Sequence, residues 1–166
     1  MTTPTAVLIG PPAAGKSRIG KRVAKLLGVP FTDTDSQIVA AHGKIADIFA
    51  QHGEPHFRAL ERQAVAAALT GRGVVSLGGG AVLDAGTRDD LRDATVVFLH
   101  APASVVAGRL AREQGKRPLV ARGIADWERI FAERRPIYEA LASHTVDTST
   151  GRFDDIAREV AAWLTA

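Results

Sequence analysis

The chain has 166 residues, of which 46% are hydrophobic, and its formal net charge is +3 at pH 7. This length and composition predict one globular domain over residues 1–166, and the absence of cysteine excludes disulfides, thiolate zinc sites and iron–sulfur clusters. No apolar run approaches bilayer length and the N-terminus has no signal-peptide pattern, so we expect a cytoplasmic location and no membrane partner.

Apolar runs alternate with helical patterns from one end of the chain to the other. Five short runs rich in Val, Leu, Ile and Phe are typical of strands covered on both faces. They lie at residues 6–10, 29–32, 73–77, 95–100 and 145–147. Helices are predicted at residues 16–27 and 55–70, and in the last segment. The alternation predicts an α/β fold with three layers, in which helices cover both faces of a central five-stranded parallel sheet.

The first run leads directly into GPPAAGKS, residues 10–17, which matches the phosphate-loop pattern G-x-x-x-x-G-K-[ST]. Gly10 and Gly15 let the loop curl around an anion, and the N-terminus of the next helix adds partial positive charge. Lys16 can reach the β- and γ-phosphates of a nucleotide, and the Ser17 hydroxyl can bind Mg²⁺. The motif predicts a nucleotide site; a simple turn with a solvated lysine is the alternative.

The second predicted strand ends in FTDTDSQ, which contains two aspartates. In an extended chain, Asp33 and Asp35 lie on the same side. A kinase that acts on a hydroxyl needs one carboxylate near Mg²⁺ and one to orient the acceptor oxygen. Thr34 and Gln37 also fit a helix capping box, so a purely structural interpretation stays open.

Arg58 and Glu61 are three residues apart and are neighbours on one face of the predicted helix. Alone, this spacing favours a surface ion pair, which contributes little to stability. The functional alternative is an arginine that its glutamate orients to bind a substrate carboxylate.

His52 and His56 have the spacing of helical metal ligands. Gly53 and Pro55 break the helix that would align them, so we expect no metal site there.

Three further stretches stand out later in the chain. Glycines 78–80 follow the third strand, where backbone close to a bound ligand is favoured over a plain loop. The segment REQGKRPLVARG is crowded with charge, glycine and proline, which predicts a mobile lid carrying Arg117. In ERRPIY, Arg134 and Arg135 precede Pro136 and Tyr138, and a solvated charge pair is the simpler interpretation.

Taken together, these stretches resemble the shikimate kinase family. A P-loop, a D-T-D strand end, F-R-x-x-E, a G-G-G turn, an R-P-L lid and a late R-x-P-[LI]-Y occur in that order over essentially the full chain. The resemblance implies a monomeric P-loop kinase with a substrate-binding helical region at about 34–62 and a lid at about 112–124. It implies ATP-dependent phosphorylation of the 3-hydroxyl of shikimate, with Mg²⁺, in the pathway to chorismate and aromatic amino acids.

The same resemblance implies a role for each matching residue. The catalytic residues are Asp35 (the candidate base), Lys16 and Arg117. The ATP-binding residues are Ala13, Ala14, Gly15, Lys16, Ser17, Arg18, Arg109, Arg117 and Arg152. The shikimate-binding residues are Asp35, Arg58, Glu61, Gly78, Gly79, Gly80 and Arg134. The ligands of Mg²⁺ are Ser17 and, through water, Asp33.

Two adenine contacts stay open. Either Arg109 or Arg112 stacks on the base, and the loop TSTGRF, which contains Arg152, lacks a proline that the family often has there.

Two other functions remain as alternatives. Another small P-loop kinase, for gluconate or a nucleoside monophosphate, shares the phosphate loop, but a nucleotide acceptor would not require Arg58 and Arg134 with the glycine turn. A nucleotide-binding switch would need neither Asp35 nor Arg58. Because basic residues are spread along the chain rather than gathered in one stripe, we expect no nucleic-acid partner.

Overall fold

The computed structural model describes residues 3–112 and 123–166, so the predicted lid lies almost wholly outside the described residues. In the described parts, five strands form one parallel sheet in the order β2-β3-β1-β4-β5. They are β1 (Ala6–Ile9), β2 (Phe31–Asp33), β3 (Val74–Ser76), β4 (Val96–His100) and β5 (His144–Asp147). All five lie where the apolar runs predict them, with small shifts at their ends.

Helices cover both faces of this sheet. They are α1 (Lys16–Leu27), α2 (Thr34–His42), α3 (Ile45–His52), α4 (Glu54–Leu69), α5 (Ala85–Asp90), α6 (Ala103–Arg112), α7 (Ile124–Leu141) and α8 (Phe153–Leu164), with a short 3₁₀ turn at Ala81–Leu83. Helix α1 has its predicted bounds, and α4 begins and ends one residue before its predicted bounds. The three-layer α/β/α fold is thus confirmed.

Alternate residues of the central strand β1 face the two helical layers, because successive side chains of a strand point to opposite sides. Val7 and Ile9 join a core formed with helices α4 and α7. Leu8 joins the opposite core, formed with α1 and α8. Burial on both faces explains why these strands are continuously apolar in sequence.

Two glycines divide the chain after β2 into three helices. Gly43 and Gly53 have φ angles of 90° and 82°, in the left-handed region that other residues rarely adopt. Helices α2, α3 and α4 pack around a small core of their own, centred on Ile38, Ile48 and Phe57. These helices form one wall of the site described below.

The break at Gly53 separates His52, at the end of α3, from His56, in the first turn of α4, as predicted. Their rings are tilted, with centroids 4.7 Å apart. Within the described ranges, no group of three or more His, Cys, Asp or Glu side chains could hold a metal ion. None of the described helices has the length and apolarity needed to cross a membrane.

The carboxyl ends of β1, β2 and β3 meet at one edge, because all strands of the sheet run in the same direction. At this edge β1 leads into Gly10 and the phosphate-loop motif, β2 ends in Asp33, and Leu77 leads from β3 into the three glycines. The topology therefore brings three separate sequence motifs together.

Candidate active site

A cavity of about 690 Å³ opens at this edge of the sheet. Its walls come from the loop after β1, the ends of β2 and β3, and several helices. The predicted site residues that line it are Ala13, Gly15, Lys16, Ser17, Arg18, Asp33, Asp35, Arg58, Glu61, Gly78, Gly79, Gly80, Arg109 and Arg134. One cavity thus contains a phosphate-loop lysine and serine, three carboxylates and several guanidinium groups.

Side chains from distant elements hold the phosphate loop by its carbonyls. The bonds are Trp127 Nε1 to Pro12 O (2.7 Å), Arg109 Nη1 to Ala13 O (2.9 Å) and Thr148 Oγ1 to Ala14 O (2.6 Å). In a planar trans peptide the N–H and the carbonyl point in opposite directions. When a side chain binds the carbonyl of a loop residue, the N–H of the next residue therefore points away from that side chain. Backbone N–H groups oriented in this way are what an anion-binding loop requires.

The Lys16 side chain is buried and spans the start of the loop. Its Nζ donates to the carbonyls of Gly10 (2.7 Å) and Pro11 (2.9 Å). Gly10 is essential in this turn, since its φ is 148° and a Cβ there would collide with the Leu99 carbonyl of β4. The ammonium group is therefore held beside the loop that would receive the phosphates.

The start of helix α2 fixes both aspartates. Asp33 is the N-cap of α2: one carboxylate oxygen accepts from Ser36 N (3.1 Å) and the other from the Ser17 hydroxyl. Asp35 lies in the first helical turn. The expectation that the two share one side of an extended strand is therefore wrong. So is a box capped by Thr34, because the chain is already helical at that residue.

Arg58 and Glu61 form a pair that is not at the surface. Arg58 Nη1 lies 2.7 Å from Glu61 Oε1, and Glu61 is only 3% exposed. Burial raises the pKa of Glu61, and Asp35 adds to this effect, whereas Arg58 and Arg134 oppose it. The interpretation as a surface ion pair is wrong, and the geometry fits an arginine held in one orientation.

The three glycines of the turn, Gly78 to Gly80, make room for neighbouring side chains. An added Cβ would meet Asp35 Oδ1 (2.6 Å) at Gly78, Pro12 Cδ (3.1 Å) and Arg134 Nη1 (3.4 Å) at Gly79, and the Arg58 guanidinium at Gly80. None of the three has a positive φ, so the requirement is for space and not for an unusual backbone. Close approach of a ligand to this backbone stays a prediction.

Helix α7 separates the two arginines of ERRPIY. Arg134 is 6% exposed and lines the cavity, whereas Arg135 is exposed and pairs with Glu139 at 2.7 Å on the same helix. One turn beyond Arg134, the hydroxyl of Tyr138 donates to the Gly79 carbonyl. A solvated pair describes Arg135 correctly and Arg134 wrongly.

The shikimate kinase family model matches residues 12–165 of the chain. The chain belongs to the shikimate kinase family. A shikimate kinase of Salinispora arenicola is 45% identical over 165 residues, which cover 98% of this chain and 99% of that protein. The resemblance given by the six motifs is therefore confirmed.

Solved structures agree with this assignment to the shikimate kinase family. The structure of the Acinetobacter baumannii enzyme in complex with shikimate has a TM-score of 0.92 and 29% identity, and the match covers 99% of this chain and 94% of that one. A gluconokinase from Sinorhizobium meliloti has a TM-score of 0.63 and 26% identity, over 96% of this chain and 90% of that one. The fold is thus nearer to the shikimate kinase structure than to this gluconokinase.

On the nucleotide side of this member of the shikimate kinase family, the two predicted adenine contacts, Arg109 and Arg112, both line the cavity. Arg109 donates to the loop and to the Thr148 carbonyl (2.8 Å), and its guanidinium lies 5.2 Å from the centre of the Phe153 ring. Burial, with help from neighbouring arginines, lowers the pKa of Arg109.

Two predicted residues in the described parts of the chain, Ala14 and Arg152, do not line the cavity. The Ala14 side chain is buried in the core formed with α1 and α8, and Arg152 is exposed at the N-cap of α8. Arg117 lies outside the described residues. The nucleotide contacts predicted for all three stay predictions.

Three further residues, Trp127, Tyr138 and Thr148, each donate a hydrogen bond to a loop of the site, although no role is expected for them from the sequence. Trp127, Arg134 and Tyr138 are spaced by seven and four residues, so they lie on one face of α7. That spacing was a usable signal. Thr148 follows an edge strand without any pattern of its own, and only the fold brings it to the phosphate loop.

Proposed function

We propose that this kinase transfers the γ-phosphoryl group of ATP to the 3-hydroxyl of shikimate, giving shikimate 3-phosphate and ADP. The observation that carries the proposal is that a single cavity contains Lys16 and Ser17 together with Asp35, Arg58 and Arg134. A phosphate-binding loop, an acid beside an acceptor and two guanidinium groups for a carboxylate match the two anionic substrates.

On the nucleotide side, the loop N–H groups and Lys16 bind the β- and γ-phosphates. Lys16 donates to two loop carbonyls, which keeps its ammonium beside the loop where the phosphates would bind. Arg109 and Arg112 lie where the cavity would receive the rest of the nucleotide. Arg117, from the predicted lid, would add positive charge to the phosphoryl group in transfer.

The residues that would hold Mg²⁺ are Ser17 and Asp33. Their side-chain oxygens are hydrogen-bonded to each other, and a hydroxyl with a carboxylate suits an ion that takes its other ligands from phosphate and water. When bound, the ion neutralises charge on the phosphate oxygens.

On the acceptor side, Arg58 and Arg134 bind the shikimate carboxylate, and Glu61 keeps Arg58 in place. Asp35 accepts a hydrogen bond from the ring hydroxyls and takes the proton of the 3-hydroxyl as its oxygen attacks the γ-phosphorus. The bond between the γ-phosphorus and the oxygen that bridges it to the β-phosphate breaks, and ADP leaves. Since positioning and charge stabilisation supply most of the acceleration, Asp35 need not be a strong base.

A coupled assay of ADP release at fixed ATP tests the proposal directly. Shikimate should produce rapid, concentration-dependent release, and gluconate or nucleoside monophosphates should produce none above the background ATPase rate. Turnover with gluconate but not with shikimate would overturn the proposal. We also propose that the protein is a monomer with a single domain and that it is cytoplasmic. The same preparation should therefore sediment as a monomer.

A further inference from the structure

Helix α7 contacts both loops of the site through one face. Its residues Trp127, Arg134 and Tyr138 are 2%, 6% and 0% exposed, and all three point toward the sheet edge or the cavity. Arg134 is accounted for by substrate binding in the proposed function. The two aromatic residues that flank it donate hydrogen bonds to the two loops, and the proposed substrate contacts do not require these bonds.

Trp127 bonds to the phosphate loop. Its indole N–H donates to the Pro12 carbonyl at 2.7 Å, and its ring packs against Phe131 with centroids 5.1 Å apart. A carbonyl that loses its buried donor costs more than an ordinary hydrogen bond contributes. The bond therefore holds one specific orientation of the Pro12 peptide, whose carbonyl is the first of the three that accept from side chains of distant elements.

Tyr138 bonds to the glycine turn. Its hydroxyl donates to the Gly79 carbonyl, and its ring stacks on Phe98 of β4 with centroids 5.2 Å apart. Burial raises the pKa of Tyr138 to about 12, in spite of the nearby Arg134 charge, so the hydroxyl stays protonated as a donor at working pH. The contact fixes the middle residue of the turn against which Arg134 packs.

We infer that Trp127 and Tyr138 are positioning residues with separate targets: Trp127 sets the phosphate loop for ATP, and Tyr138 sets the glycine turn for the acceptor. The second half rests on the proposed function, since it assumes that the acceptor lies beside Gly79. Helix α7 thus contacts both the phosphate loop and the glycine turn and would hold the two in a fixed relative position.

The test compares two variants that keep an aromatic ring, each of which should affect the KM of a different substrate. Trp127→Phe removes the indole donor and should weaken ADP binding, measured by calorimetry, and raise KM for ATP by about threefold to tenfold, the effect of one hydrogen bond. Tyr138→Phe should raise KM for shikimate by a similar factor. Each variant should change the constant for the other substrate by less than about twofold, on a scale set by the same single-bond effect.

Trp163→Phe is the matched control. Trp163 stacks on His144 and packs into the opposite core, so its replacement should leave both constants unchanged. Equal losses for both substrates in either α7 variant, or no loss, would overturn the inference. ADP affinity does not depend on the acceptor, so a wild-type enzyme that ignores shikimate would refute the proposed function and leave the Trp127 prediction standing.

If either variant fails to fold, spectroscopy tests the inference in protein that keeps the Trp127 and Tyr138 contacts. The chain has two tryptophans and one tyrosine, so Trp163→Phe isolates Trp127 emission and fluorotyrosine labels only Tyr138. ADP should change the Trp127 emission, and shikimate should shift the single ¹⁹F resonance more than ADP does. A silent Trp127 or a resonance insensitive to shikimate would contradict the corresponding half.

Discussion

The two ends of the cavity are held in place by different kinds of interaction. At the nucleotide end, Trp127, Arg109 and Thr148 each donate one hydrogen bond to a loop carbonyl, and the backbone itself is the proposed binding surface. At the acceptor end, the proposed binding surface is formed by the charged side chains Arg58 and Glu61, and the glycines of the turn leave space for the neighbouring side chains.

This difference has an energetic consequence. A backbone loop with several anchors loses one of several contacts when a single side chain is changed, so each loss is modest. Charged groups packed against one another in a half-buried cluster depend on every member for orientation, so single changes there act on the chemistry itself. We therefore expect substitutions at the acceptor end to have the larger effects.

The largest effect is expected for Asp35→Asn at the acceptor end. Losing the proposed base and hydroxyl acceptor should lower kcat by about a hundredfold to ten-thousandfold, the range for general acid–base groups. ADP affinity should remain near that of the wild type, because Asp35 is not part of the phosphate loop. Steady-state kinetics and calorimetry measure the two quantities.

The control for this change is Asp93→Asn, at an exposed position beyond helix α5. It should behave as the wild type in both measurements. Near-normal kcat in Asp35→Asn would mean that Asp35 is not the base and takes no part in phosphoryl transfer.

Gly80→Ala tests whether space alone determines the acceptor end. Its Cβ would lie 2.4 Å from Arg58 Nη1, which is too close, so the arginine must move. Losing one charge-assisted contact should raise KM for shikimate by about tenfold to a hundredfold with little change for ATP.

Gly108→Ala, in α6, is the matched substitution, because an added Cβ there meets no atom within 4 Å. Alanine is the better helix former, so this variant should melt at the same or a higher temperature with unchanged kinetics. An unchanged KM for shikimate in Gly80→Ala would show that Arg58 does not hold the substrate.

The same contrast explains what could be predicted from sequence. The phosphate loop is one contiguous motif, and the strands around it are apolar runs, so both were predictable from local pattern. The roles of Arg58 and Glu61 were ambiguous, because a spacing of three residues cannot distinguish a buried pair from an exposed one. Burial of Glu61 depends on the packing of α4 against the glycine turn, a contact that the residue spacing within one helix does not reveal.

Two errors have a similar origin. The chain turns helical at Thr34, directly after a strand of three residues, so a pattern read as extended chain misplaced Asp35 relative to Asp33. Arg134 and Arg135 are adjacent in sequence, but a helix sends neighbouring residues to different faces. In both cases local structure, not residue type, decided what the side chain contacts.

Glu61→Gln should have an intermediate effect. The amide holds Arg58 less firmly, so KM for shikimate should rise by about tenfold, as for a lost charge-assisted bond. The stability of the fold, in contrast to substrate binding, should not fall in this variant. Because burial raises the pKa of Glu61 in the folded state, ionised Glu61 costs stability, and this cost grows as pH rises through the folded pKa.

The glutamine variant should therefore melt at or above the wild-type temperature at pH 8, and the difference should shrink toward pH 5 as Glu61 binds a proton. Thermal melts at the two values measure this. A variant that melts lower at pH 8 than at pH 5, relative to the wild type, would mean that the ion pair stabilises the fold.

The smallest effect is expected at the nucleotide end, for Thr148→Val. The change preserves the shape of a fully buried side chain and removes the hydroxyl that donates to the Ala14 carbonyl. Since two other anchors remain, KM for ATP should rise by only about threefold, near the lower range for one hydrogen bond, and KM for shikimate should not change. Thr145→Val, at an exposed position of the preceding strand β5, is its control and should alter neither constant. A loss in Thr148→Val as large as that in Gly80→Ala would mean that the phosphate loop depends on each anchor as strictly as the acceptor end depends on its charges, and the contrast between the two ends would fail.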